Sequence, residues 1–155
     1  MQNVVFLDFD GVVNSLIWKD GDFKYNFPKD DSVNNYQACQ WVSKFCKDNG
    51  YSIVVSSTWR SEGLENCERY LRNGGIWSEI PIIGATPKIN GAIRGNEIAD
   101  YLMKHEVGQF LIFDDDSDMG SLADHLVKCN TQVGFTFKEY QLATVLHGVF
   151  QENKI

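Results

Sequence analysis

Two carboxylates, Asp8 and Asp10, stand two residues apart directly behind the apolar run 4–7, VVFL. Carboxylates at the mouth of a buried strand are costly unless they are paired or bound to a metal. Gly11 follows and frees the backbone for a sharp exit. The pattern suits a metal-held carboxylate nucleophile with an acid/base neighbour. The competing reading is a plain Asp-Gly turn. Two further polar clusters bear on the choice. Ser56-Ser57-Thr58-Trp59-Arg60 follows the apolar stretch 52–55, and Asp114-Asp115-Asp116-Ser117-Asp118 follows the stretch 110–113.

The elements that must position these clusters can be read from hydrophobic patterning. The stretches 4–7, 52–55 and 110–113 are short, β-rich and apolar on successive residues, as strands buried on both faces of a parallel sheet are. Helical spacing predicts helices over 34–48 (Tyr36, Cys39, Trp41, Val42, Phe45, Cys46, stopped at Gly50), over 61–72 (Leu64, Cys67, Leu71) and over 96–105 (Ile98, Leu102). The last third predicts a short helix at 122–126, an edge strand at 126–129, a closing helix at 137–150 and a frayed tail at 151–155. Residues 14–31 read as an ordered loop or small hairpin. Residues 74–95, with Pro81 and Pro87, read as irregular with a short strand at 80–83. Strand alternating with helix gives an α/β layered sheet. Ligands of such sheets sit outside the carboxyl ends of the strands. All three polar clusters fall there.

Carboxylates, hydroxyls and further carboxylates at three strand ends fit phosphoryl transfer. Clustered carboxylates hold a hard cation such as Mg²⁺, one aspartate can attack phosphorus, and a hydroxyl and a cation can hold phosphate oxygens. Composition is compatible. The 155 residues suffice for one domain, 43% are hydrophobic, and the formal net charge of -7 does not supply the basic field of a protein that coats a duplex. Cys39, Cys46, Cys67 and Cys129 form no C-x-x-C pair, so buried thiols are expected and neither zinc nor a disulfide framework. The N-terminal apolar run is too short for a signal peptide or membrane span, which makes a cytoplasmic location the expectation and a membrane partner unexpected.

Asp8-Phe9-Asp10-Gly11-Val12-Val13-Asn14 resembles the first motif of the haloacid dehalogenase (HAD) superfamily of phosphotransferases. Val54-Val55-Ser56 resembles its second motif, and Phe113-Asp114-Asp115 the double-aspartate form of its fourth. The third motif is a basic residue near the start of the helix before the fourth-motif strand. Arg94 holds that place where lysine is usual, and Lys88 is the alternative. Together with the segment 94–98, these clusters are similar to the small HAD domains of RNA-repair proteins, and more distantly to the phosphatase half of polynucleotide kinase/phosphatase.

The resemblance implies a three-layer Rossmann-like (HAD-like) fold with a central, mainly parallel sheet and no or minimal cap. It implies a single domain over 1–155 with a short flap insertion at about 14–33. It further implies a Mg²⁺-dependent phosphomonoesterase working through an aspartyl-phosphate. Asp8 would be nucleophile and metal ligand. Asp10 would be the acid/base, its backbone carbonyl touching the metal. Ser56 and Arg94 or Lys88 would bind the phosphoryl group, and Asp114 and Asp115 would hold Mg²⁺. The expected partner is a phosphorylated substrate: a nucleic-acid end, a nucleotide or a small molecule, without extended duplex binding. A non-catalytic binding module is the rival of another class.

Several neighbours carry two readings. Ser57 and Thr58 either cap the following helix or, for Ser57, bind phosphate. Arg60 either pairs with Glu62 or Glu65 or reaches a substrate phosphate. Asp116 and Asp118 are expected to cap the next short helix rather than bind metal. Trp18, Phe23, Tyr25 and Phe27 either pack a flap or stack on a nucleobase. Trp59 is expected to pack, and His105, His125 and His147 receive no role.

Overall fold

Residues 4–7 have no neighbour but protein on either face, so they form the middle of the sheet. In the computed structural model, which describes residues 1–14, 16–19, 22–25 and 33–153, strand β1 (Gln2–Leu7) lies between β4 (Tyr51–Val55) and β6 (Val107–Asp114). Strand β5 (Ile82–Ala85) extends the sheet beyond β4, and β7 (Leu126–Lys128) extends it beyond β6. The order is β5-β4-β1-β6-β7 and every pairing is parallel. Leu7 lies level with Val55 on one side and Phe113 on the other. The fold is therefore the HAD/Rossmann-like α/β architecture that the sequence motifs imply.

Alternation along the strands sends successive side chains to opposite faces and builds two cores. Val5, Leu7, Ile53, Val55, Leu111 and Phe113 face helices α1 (Val33–Asn49), α2 (Leu64–Gly74) and α4 (Phe137–Glu152), meeting Phe45, Leu71 and Ala143. Val4, Phe6, Val54 and Ile112 face α3 (Arg94–Lys104), meeting Ile98 and Tyr101, with Met119 closing that side. Helices on both faces are what make runs apolar on every residue, without alternation, stable. The four cysteines are buried free thiols.

The structure differs from the patterning in a few places. The helix expected from 61 begins instead as a 3₁₀ turn, Thr58–Glu62, and Gly63, at φ 90°, resets the chain before α2 starts at Leu64. The strand expected at 80–83 is β5, shifted two residues on, and the short helix at 122–126 is a 3₁₀ helix over Gly120–His125. The hairpin reading of 14–31 holds for its backbone: β2 (Leu16–Lys19) pairs antiparallel with β3 (Asp22–Tyr25). The stacking and packing readings of Trp18, Phe23, Tyr25 and Phe27 concern side chains outside the described residues.

Candidate active site

The hydrogen-bond ladder runs one residue past each strand and so sets the polar clusters side by side. The Asp8 N–H donates to Phe113 O at 3.0 Å, Ser56 N–H to Leu7 O at 2.8 Å, and Cys129 N–H to Asp114 O at 2.8 Å. Asp8, Ser56, Asp114 and Cys129 thus stand in a row along the carboxyl edge. Beyond Asp8 the chain makes one tight turn, with the N–H groups of Val12, Val13 and Asn14 converging on Phe9 O. Gly11 serves this turn twice. Its φ of 83° is left-handed, and a Cβ there would lie 2.2 Å from Asp115 Oδ2.

Carboxylate oxygens of Asp8, Asp114 and Asp115 come within 4.8 Å of one another. Asp8 is 5% exposed and Asp114 1%. Burial drives the Asp8 carboxyl well above the usual carboxylate range; Asp114 and Asp115 add to the rise, while Arg94 and the Phe9 N–H oppose it. Asp114 is pushed up to about 6, chiefly by burial, against the stabilising Asp116 N–H and Arg94. Asp115 accepts the Thr131 hydroxyl at 2.8 Å. A single guanidinium, that of Arg94, enters among the three acids. Its Nε lies 3.7 Å from Asp114 Oδ2, its Nη2 4.0 Å from Asp8 Oδ1, and its Nη1 donates to the Ser56 carbonyl.

Among the described residues, one cation against three acids leaves the cluster short of positive charge, and two buried atoms in it, Asp114 Oδ2 and Ser56 Oγ, lack a hydrogen-bond partner. Buried polar atoms without partners are uncommon in folded proteins and mark a place that something else completes. The donors are hard oxygens. They lie near enough together for one ion to reach all three. The residues present therefore fit a divalent cation held by Asp8, Asp114 and Asp115.

Asp10 stands apart from that trio. It accepts hydrogen bonds from Asn14 Nδ2, at 2.9 Å, and from the Trp59 side chain. Burial raises its pKa, and these two donors hold the rise back. Trp59, expected only to pack, thus also holds a site carboxylate. It is itself set by Ser57, whose Oγ accepts the Trp59 N–H at 3.2 Å and caps the 3₁₀ turn.

The family described as the HAD domain in Swiss Army Knife RNA repair proteins matches the chain over residues 4–140. The chain belongs to this family. No curated protein and no solved structure matches it. The match runs from β1 into the first turn of α4, so it contains every residue of the strand-end site. Membership points to phosphatase-type chemistry, usually with Mg²⁺, and the three-aspartate cluster is where such an ion fits.

Within this HAD domain the remaining candidates separate cleanly. Arg94 reaches the carboxylates, whereas Lys88 is exposed and makes no ion pair among the described residues. Arg60 pairs with neither Glu62 nor Glu65. It donates to Glu97 at 2.6 Å and to the Ser57 carbonyl at 2.8 Å, within the protein. Glu97 also accepts the Ile89 N–H at 2.9 Å, tying the loop after β5 to the same point. Asp118 does not cap the helix that follows it. Its Oδ2 accepts the Arg94 N–H and its carbonyl the Gly95 N–H, so it caps α3 from across the edge, where the helix dipole favours a negative charge. Asp116 turns its backbone N–H to Asp114 Oδ1.

Sequence patterning missed Glu97 and Thr131. Glu97 looks like a helix surface charge until its partner is known. Thr131 carried a usable signal: it follows a strand at the carboxyl edge, as the three recognised clusters do. No described helix is long and apolar enough to cross a membrane.

Proposed function

We propose that this HAD domain is a Mg²⁺-dependent phosphomonoesterase that transfers the phosphoryl group to Asp8 and then to water. The observation that carries the reading is the division of labour among four aspartates. Three converge within 4.8 Å around a place fit for a cation, and the fourth, Asp10, is held separately by Trp59 and Asn14.

An Asp8 oxygen would attack phosphorus, the bond to the leaving oxygen would break, and Asp10 would give that oxygen its proton. In the second half, Asp10 would take a proton from water as the water oxygen attacks the phosphoryl-Asp8, releasing inorganic phosphate and restoring both acids. Burial raises the Asp10 pKa, which suits a group that begins as an acid. The partnerless Ser56 hydroxyl and the Arg94 guanidinium would bind the phosphoryl oxygens. Bound by Asp8, Asp114 and Asp115, Mg²⁺ would supply the positive charge that offsets the carboxylates and the incoming phosphate.

The family supports a phosphorylated RNA end as the substrate class. The test is phosphate release with Mg²⁺ present from end-phosphorylated oligoribonucleotides, free nucleotides and small phosphate esters. RNA ends are expected to lead. Asp8→Asn is expected to fall to background with the fold intact, and Asp10→Asn to lose about 10²–10⁴-fold in kcat. Turnover at the native rate in Asp8→Asn overturns the mechanism.

A further inference from the structure

We propose that the cavity lined by Trp59, between the 3₁₀ turn after β4 and helix α2, receives the nucleobase of the leaving ribonucleotide. The proposal rests on the phosphomonoesterase reading and deepens it. The cavity measures about 280 Å³ and is lined by Thr58, Trp59, Ser61, Glu62 and Tyr70. The Trp59 and Tyr70 rings meet edge-on, with centroids 5.1 Å apart at 80°. The Arg69 guanidinium stands over the Tyr70 ring, 5.6 Å from its centroid.

Three observations choose the occupant. Position is the first. Trp59 both lines the cavity and hydrogen-bonds Asp10, the group placed to protonate the leaving oxygen. Whatever is attached to that oxygen lies on Asp10's side of the phosphorus, away from Asp8, and the cavity opens against the indole that holds Asp10. Charge is the second. The lining has a carboxylate, Glu62, and the neighbouring Arg69 guanidinium is engaged with the Tyr70 ring and Asn66, which favours a neutral group with N–H donors over a second phosphate. Chemistry is the third. Two aromatic rings offer faces and edges for packing, and Thr58, Ser61 and Glu62 offer hydrogen-bonding oxygens at the rim, the combination that recognises a base by stacking and by its polar edge. The polar contacts inside the cavity wall are few: Ser61 Oγ donates to the Thr58 carbonyl at 3.0 Å, and Glu62 presents its carbonyl to Asn66 at 2.7 Å. Glu62 is exposed where it lines the cavity.

The test compares four probes: a 5′-phosphorylated and a 3′-phosphorylated tetraribonucleotide, a ribonucleoside monophosphate, and ribose 5-phosphate, which has no base. The wild-type protein is expected to turn over at least one base-bearing probe about tenfold or more better in kcat/KM than ribose 5-phosphate. Tyr70→Ala is expected to raise KM for that probe roughly tenfold and to leave ribose 5-phosphate unchanged. That unchanged rate also certifies that the variant folds. Should Tyr70→Ala fail to fold, Glu62→Gln decides, with an expected severalfold loss confined to base-bearing probes. The two oligonucleotide arms against the mononucleotide separate a strand end from a free nucleotide. Calorimetric titration with the unphosphorylated tetraribonucleotide is the independent readout. Saturable binding that Tyr70→Ala abolishes, without turnover of any probe, upholds the cavity and overturns the phosphatase reading. Turnover of all probes at equal efficiency, unaffected by Tyr70→Ala and Glu62→Gln, overturns the cavity and leaves the phosphatase reading standing. Absence of both binding and turnover overturns both.

Discussion

Asp114 is the most enclosed of the three clustered acids, and its proton equilibrium links the site to folding. In the unfolded chain it titrates near 3.8, and in the folded protein near 6, chiefly because burial penalises its charge. Between those values the folded state binds the extra proton, so stability is present below the window and is lost as pH rises through it. The shift corresponds to something on the order of 3 kcal/mol. Metal-free protein is therefore expected to lose thermal stability from pH 4 to pH 7, and Asp114→Asn to flatten that loss. A melting temperature that rises over the same range in the wild type would contradict the assignment. At this scale the sequence was informative about identity and poor about partners. Asp8, Asp10, Ser56, Arg94, Asp114 and Asp115 all stood out by type and place. The pairing of Arg60 with Glu97 did not, because no spacing rule connects a turn after one strand to the face of a distant helix.

At the scale of elements, the buried strands were legible and the edges were not. β1, β4 and β6 carry unbroken apolar runs, 4–7, 53–55 and 110–113, because helices cover both faces there. β5 is half-exposed at the sheet edge and carries Gly84, so its pattern is diluted and its position was read two residues early. The start of α2 was misplaced for a different reason: Ser61-Glu62 is a good helix opening, yet Ser57 already caps a 3₁₀ turn there and Gly63 breaks it. That turn is fastened to α3 and to the loop after β5 by the Arg60–Glu97 pair, whose side chains are 9% and 7% exposed. A buried pair broken on one side leaves an uncompensated charge, costing about 3–5 kcal/mol. Glu97→Ala is expected to destabilise by that amount in urea denaturation. The double replacement Arg60→Leu with Glu97→Ala is expected to recover part of the loss. Additive losses would show that the two side chains do not act as a unit.

For the whole molecule, a cation held by the three-aspartate cluster would make stability depend on its concentration. Anything that binds the folded state alone stabilises it by mass action. Mg²⁺ at one hundred times its dissociation constant is expected to add about 3 kcal/mol at pH 7, read as a rise in melting temperature. At pH 4, below the value of about 6 to which burial pushes Asp114, the rise is expected to shrink. In Asp114→Asn it is expected to be smaller at both pH values. An equal rise at both pH values in the wild type would show that the ion acts elsewhere on this acidic chain.

The ladder that carries Asp8 and Ser56 past their strands also has a consequence in time. The acids of the cluster come from β1 and β6, more than a hundred residues apart in the chain, and the hydrogen bond from Asp8 N–H to Phe113 O is the last rung joining them. Contacts so distant in sequence close late, because the chain between them must first be gathered. A refolding molecule is thus expected to gain the proposed Mg²⁺ site only when its central strands have zipped to their ends. A cation-sensitive dye mixed with refolding protein would act as a stopwatch for sheet completion.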